Sequence, residues 1–137
     1  MYVQALKAGL LYFTVVFIVA VALGAIRMLA LAPNIGEPAA VLIETPFILA
    51  VSWFAADWLT LKFRVPRAID PRLLMGAIAL ALLLLAELAL SLLAFGRSIE
   101  EHFMAYLSAP GAIGLVAQLL YALIPAIQLR RWWGSVT

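Results

Sequence analysis

The chain has 137 residues, of which 67% are hydrophobic and only 12% charged, against roughly 45–50% and about 25% in ordinary soluble domains. A soluble fold would have too little polar surface to cover so much apolar side chain, so the composition describes a single membrane domain. A net charge of +2 without a basic stripe interleaved with aromatics excludes a nucleic-acid face, and the lack of cysteine excludes disulfides and thiolate sites.

Lys7 and Arg27 bracket nineteen uncharged residues, enough at ~1.5 Å per residue to cross roughly 30 Å of hydrocarbon. A secretory signal cleaved near Ala20-Val21-Ala22 is the competing reading. The apolar run continues past Ala22, which favours an uncleaved first span over about residues 7–31. Leu31-Ala32-Pro33-Asn34-Ile35-Gly36 is expected to be a short turn. Glu37-Pro38 then opens a second span, 37–62, with Pro38 in the first turn and Glu37 complementing the positive helix end. Trp53 and Trp58 lie toward its other end, as interfacial anchors do.

Arg64, Arg67 and Arg72, with Pro66, Asp70 and Pro71, form a basic loop before a third span, 72–96, that is apolar except for Glu87 and Ser91. Ser98 and Glu101 have capping-box spacing. They start a short helix, 98–108, whose Ile99, Phe103 and Leu107 recur at helical spacing and suit the membrane interface. His102, with Glu100 and Glu101, is expected on its solvated face. Pro110-Gly111 ends this segment, and a fourth span, 111–130, runs into Arg130, Arg131, Trp132 and Trp133.

The fold expected is therefore an all-α membrane protein, a bundle of four transmembrane helices with a short interfacial helix between spans three and four. With the N-terminus inside, Lys7, Lys62, Arg64, Arg67, Arg72, Arg130 and Arg131 fall on the cytoplasmic side, and only Arg27 and Arg97 fall outside. That asymmetry gives an N-in, C-in orientation.

Each span offers one strongly polar side chain to the outer half of the membrane. Glu44 lies about 10 Å below the outer boundary, Glu87 about 13 Å and Gln118 about 10 Å, while Arg27 sits a few residues inside the end of the first span. Ala20 and Gly24 beneath Arg27, and the Gly114-Gln118-Ala122-Ala126 stripe, let helices approach closely and bring these groups together. Pro46 frees the carbonyl of Leu42, which adds an acceptor to the layer. The plainer reading is that Arg27 pairs with Glu44 or Glu87 to allow burial, with Gln118 bridging and the pair specifying one packing arrangement. The sharper reading counts two carboxylates against one arginine and expects one carboxyl to hold a proton, as a proton- or cation-coupled site requires. Asp57 is expected in a local salt bridge with Lys62 or the loop arginines. No glycine-rich phosphate loop, Ser–His–Asp set or paired histidines on a helix is present, so no catalytic residue, cofactor or metal is expected.

Gly24-Ala25-Ile26-Arg27, Leu31-Ala32-Pro33-Asn34-Ile35-Gly36-Glu37 and Glu44-Thr45-Pro46 resemble small, uncharacterised four-span bacterial inner-membrane proteins. That resemblance implies a fold and a bacterial inner-membrane location, and no activity. The expected function is a polar pocket in the outer leaflet that binds a small ligand, ion or lipid headgroup, with Arg27, Glu44, Glu87 and Gln118 as its residues. The alternatives are a structural or accessory subunit and an intramembrane enzyme acting on a lipophilic substrate, with a Glu as general acid–base. The expected partners are the lipid bilayer, a bound lipid or small molecule, and either further copies of the chain or another membrane protein, because four short spans are few for a solute path.

Overall fold

A computed structural model describes residues 2–131; Trp132 and Trp133, expected at the end of the fourth span, lie outside the described residues. Helix α1 covers Tyr2–Ile35, α2 Glu37–Lys62, α3 Ile69–Leu93, α4 Ile99–Met104 and α5 Ala109–Arg131. Helices α1, α2, α3 and α5 are each long and apolar enough to cross a membrane. No strand occurs among the described residues.

Local chemistry accounts for most of the boundaries. The expected turn over residues 31–36 does not form. Helix α1 continues to Ile35 through a π turn at Arg27–Leu31, in which the Ala32 N–H reaches back to the Arg27 carbonyl. Pro33 lacks an N–H and could not complete the ordinary ladder. The wider turn absorbs that loss, and such turns recur at functional sites. The chain then reverses at Gly36, whose φ of +88° is natural only for glycine.

Helix α3 is displaced by three residues from its expected 72–96. Gly96 at φ +64° stops it, with the Arg97 N–H returning to the Ser91 carbonyl at 3.0 Å. The Ser98–Glu101 capping box is present in both directions, and α4 is followed by a 3-10 turn over Ala105–Leu107. Ser108 then caps α5: its hydroxyl accepts the Gly111 N–H at 3.2 Å, and Pro110 occupies the first turn, where no N–H is needed. Pro110-Gly111 therefore starts a helix rather than merely ending one.

The four long helices stand at the corners of a square. Helix α1 packs on α2 and α3, and α5 packs on the same two, so α1 faces α5 and α2 faces α3 across the diagonals. The core is concentrated toward the end where α1 begins and α5 finishes, called here the terminal end. Small residues bring backbones together there, as membrane helix packing requires. Gly76 of α3 lies directly against the Ala122 carbonyl of α5, and Gly9 of α1 against the Met75 carbonyl of α3. Ala5, Ala8, Ala55, Ala56 and Ala79 complete this tight layer.

Tyr12, fully buried, crosses the centre of the square. Its ring stacks on Tyr121 with centroids 4.6 Å apart, and its hydroxyl donates to the Tyr121 carbonyl at 2.7 Å. Pro125, four residues on, has no N–H to offer that carbonyl, so Tyr12 satisfies a backbone acceptor that the α5 proline leaves open.

Arg72, expected in a loop, is instead buried in the first turns of α3, where it donates to the carbonyls of Pro66 and Pro125. Gln128, also buried, donates to the Trp53 carbonyl at 2.8 Å. Lys62 lies over the Trp58 ring, and Asp57 lines a small cleft with Arg64, Arg67 and Arg72.

Beyond the stacked tyrosines the packing opens. Val16 is the last buried residue of α1, although the helix continues for nineteen residues more to Ile35. Ile18 and Leu29 face outward, 64% and 83% exposed, as expected of side chains meant for lipid. One half of the bundle is close-packed and the other is splayed.

Candidate functional site: a polar cavity in the splayed half

The splayed half encloses a cavity of about 780 Å³, inside the ~300–1,000 Å³ range usual for small-molecule sites. Its floor is the Tyr12–Tyr121 layer, with Val16, Ser52, Leu83 and Tyr121 lining it, and α4 contributes His102 near the far end. Arg27 from α1, Glu44 from α2, Glu87 from α3 and Gln118 from α5 all line this one cavity.

The four do not form a single cluster. Arg27 Nη1 donates to Glu44 Oε2 at 2.6 Å, while its Nε makes an ionic contact with Glu37 Oε1 at 3.4 Å. Across the cavity, Gln118 Nε2 donates to both carboxylate oxygens of Glu87 at 2.7 Å each. Glu44 and Glu87 belong to diagonal helices, and each is held by the neighbour at its own corner. Of the two pairings expected for Arg27, the one with Glu44 forms and the one with Glu87 does not. Among the described residues no basic side chain stands within ion-pair distance of Glu87.

Charge is therefore distributed unevenly. Glu44, with a side chain 14% exposed, is neutralised by a charge-assisted bond of the strong kind. Glu37 is 44% exposed and can be solvated. The Glu87 carboxylate is held by the Gln118 amide, with the Tyr106 phenol close enough to interact with it. Burial, followed by the Glu87 charge and its hydrogen bond, pushes the Tyr106 phenol up to about 12. Tyr106 thus stays a neutral donor at any physiological pH. Its hydroxyl also lies 3.3 Å from His102 Nε2.

His102 departs from its expected place. It is buried, lines the cavity and packs edge-on against Tyr106 and Phe103, while Ile99, Phe103 and Leu107 are exposed along with Glu100 and Glu101. The reason is the four-residue spacing of His102 and Tyr106, which puts them on one face. That face turns to the bundle, and the apolar face turns away from it. The Leu42 carbonyl freed by Pro46 also fails to join the site: Leu42 and Pro46 are both exposed and neither lines the cavity.

Sequence reasoning missed Glu37 and Ser91 as well. Glu37 lies seven residues before Glu44, two helical turns and one face, so its arrival beside Arg27 was legible. Ser91 sits one turn after Glu87 and is buried with its hydroxyl unpartnered; the Gln118 Oε1 and Tyr121 hydroxyl oxygens are likewise buried without partners. Such groups are rare in native interiors. No group of three potential metal ligands occurs among the described residues. Comparison with protein-family models, curated proteins and solved structures finds no match, so the cavity is read from its own geometry.

Proposed function

We propose that this chain is a bacterial inner-membrane protein whose outer-leaflet cavity binds a small molecule or lipid headgroup, with exchange of a proton or cation at Glu87. The distribution of lysine and arginine supports an N-in, C-in orientation, which puts the cavity toward the periplasmic leaflet. The outward-facing Ile99, Phe103 and Leu107 support an interfacial position for α4. The observation that carries the reading is Glu87, a cavity-lining carboxylate with an amide and a phenol as partners and no cation. An ionisable group at such depth is expensive, and in membrane proteins it marks ion, proton or substrate sites. Arg27 and Glu44 fix the shape of the site, Gln118 orients Glu87, and Tyr106 with His102 links Glu87 toward the outer surface.

Gly114 supplies the test. It lines the cavity, and nothing lies within 4 Å of a Cβ placed there. Gly114→Phe should fill the cavity without disturbing the tight half. Native mass spectrometry of the protein released from phospholipid nanodiscs should show a bound small molecule or lipid in the wild type and its loss in Gly114→Phe. Equal adducts in both proteins would remove the cavity from consideration. For orientation, Glu100→Cys should react with an impermeant maleimide in intact cells and Arg67→Cys only after lysis; the reverse pattern would invert the topology.

A structural or accessory role is the second reading, favoured by the Arg27–Glu44 pair that ties α1 to α2. It predicts that Glu44→Gln and Glu87→Gln alter assembly or thermal stability while Gly114→Phe changes nothing.

A further inference from the structure

The cavity presents a set of partners that discriminates among ligand chemistries. Glu87 is the cavity carboxyl that no basic side chain among the described residues pairs with. Gln118 has committed its nitrogen to that carboxylate, which leaves its Oε1 as a buried acceptor without a donor. Ser91 follows Glu87 by four residues on α3, and Tyr121 follows Gln118 by three on α5, so each shares a face with its predecessor. Both are nine-tenths buried or more, at 4% and 3% exposure, both line the cavity, and neither hydroxyl has a partner. Apart from Ser52, whose hydroxyl already donates to the Ile48 carbonyl, the wall near the floor is apolar: Val16, Phe17 and Leu83.

We infer that the cavity binds a primary ammonium group on Glu87, with the apolar remainder of the ligand lying along α1. This rests on the cavity being a ligand site. An alkylammonium carries one positive charge and three N–H donors. The charge matches Glu87, which lacks a basic partner, and the donors match the carboxylate, Gln118 Oε1 and one of the two orphan hydroxyls. Other headgroups fit less well. An anion would find the Arg27 charge already balanced by Glu44 and Glu37, with only its Nε lacking a hydrogen bond, and Arg97 held over the Phe95 ring. A quaternary ammonium has no N–H and leaves the acceptors unpaired. A neutral alcohol leaves the charge. Two sources offer this chemistry: the ethanolamine headgroup of a membrane phospholipid, and a free long-chain amine.

The purified chain in nonionic detergent should gain several degrees of thermal stability from dodecylamine, and less or nothing from dodecyltrimethylammonium, dodecanol or dodecanoate. Glu87→Gln, which keeps a polar side chain of the same size against Gln118, should abolish the gain. Should Glu87→Gln fail to give a monodisperse protein, the paired change Ser91→Ala with Tyr121→Phe carries the test, with a reduced gain expected. A dodecylamine shift that persists unchanged in these variants, or one equalled by dodecyltrimethylammonium, overturns the ammonium assignment. A shift from dodecanoate or dodecanol alone also overturns it while leaving the cavity a ligand site. No shift with any of the four, together with identical adducts in wild type and Gly114→Phe, overturns both readings. Nanodiscs identify the source: phosphatidylethanolamine retained from mixtures with phosphatidylglycerol, where phosphatidylcholine is not, assigns a lipid headgroup, and a dodecylamine shift without lipid retention assigns a free amine.

Discussion

Replacing Gly76 by alanine tests whether the closed half of the bundle holds the open half in place. A Cβ on Gly76 would sit 1.7 Å from the Ala122 carbonyl oxygen and 2.8 Å from its carbon. Relieving that overlap to an ordinary C···O contact of about 3.3 Å requires α3 and α5 to part by about 1.6 Å. Overpacking of this kind costs roughly 1–3 kcal/mol. The obstacle is helix backbone, which cannot rotate away, so the upper end of about 3 kcal/mol applies. Alanine recovers about 1 kcal/mol of helix propensity over glycine, leaving a net loss of about 2 kcal/mol. Gly114 is the internal control, because nothing lies within 4 Å of its Cβ and Gly114→Ala should keep the propensity gain alone. Reversible unfolding in mixed micelles would measure both. Because Gln118 lies one turn before Ala122 on the displaced helix, Gly76→Ala should also weaken ligand retention. Gly76→Ala as stable as the wild type, or Gly114→Ala destabilised to the same extent, would refute the close contact on which the splayed geometry depends.

The Arg27–Glu44 bond predicts a coupling of about 1–3 kcal/mol between Arg27→Gln and Glu44→Gln in a double-mutant cycle, with Arg27→Gln the worse single change because it leaves two carboxylates facing each other. Tyr12→Phe should cost about 1–3 kcal/mol by orphaning the Tyr121 carbonyl, and Pro125→Ala, which restores an N–H one turn on, should recover part of that loss; the two changes adding independently would refute the shared acceptor. The Ser98 backbone N–H and hydroxyl hold the Glu101 carboxyl below the usual carboxylate range, with Arg97 helping. Its contribution is therefore present above about pH 4.3 and lost as pH falls through the lowered value. Amide protection factors in α4, corrected for the intrinsic pH dependence of exchange, should fall on acidification in the wild type and stay flat in Glu101→Gln. The Tyr106 phenol, at about 12, should titrate at lower pH in Glu87→Gln, read as an ultraviolet difference against Tyr106→Phe; no change would separate Tyr106 from Glu87.

The four spans were legible because a bilayer needs long apolar runs, and those runs have few alternative uses. The four polar residues of the site were legible for a related reason: a charge in such a run stands out, and the helical rise fixes its depth. Which of them would touch was not legible. Pairing follows from the square arrangement of helices, set by contacts such as Gly76 on Ala122 and Tyr12 on Tyr121, and hydropathy does not report those. The break expected at Pro33 illustrates a local rule overridden, since a π turn lets the helix pass a proline that the ordinary ladder would not. His102 was misplaced because Glu100 and Glu101 beside it suggested a wet face, whereas its four-residue spacing to Tyr106 held the better information.

The division of the bundle into a closed and an open half bears on what Glu87 is for. If its role were only to hold α3 against α5, a leucine pair or a neutral amide pair at those positions would serve as well or better, because burying a charge costs more than a hydrogen bond to an amide returns. The closed half shows what structural polar groups look like in this chain: Tyr12, Arg72 and Gln128 all donate to backbone carbonyls, those of Tyr121, Pro66, Pro125 and Trp53, the first of them left open by Pro125. None of those three is a carboxylate, and each fills a backbone acceptor. Glu44 fits a similar account, because Arg27 neutralises it. Glu87 does not: it is an acceptor whose neighbours on α3 and α5, the Ser91 hydroxyl, the Gln118 amide oxygen and the Tyr121 hydroxyl, are buried without partners, while Arg27 Nε, the cavity N–H that lacks a hydrogen bond, belongs to the Glu44 corner. A group of that kind is stabilised most by something that brings donors and a positive charge.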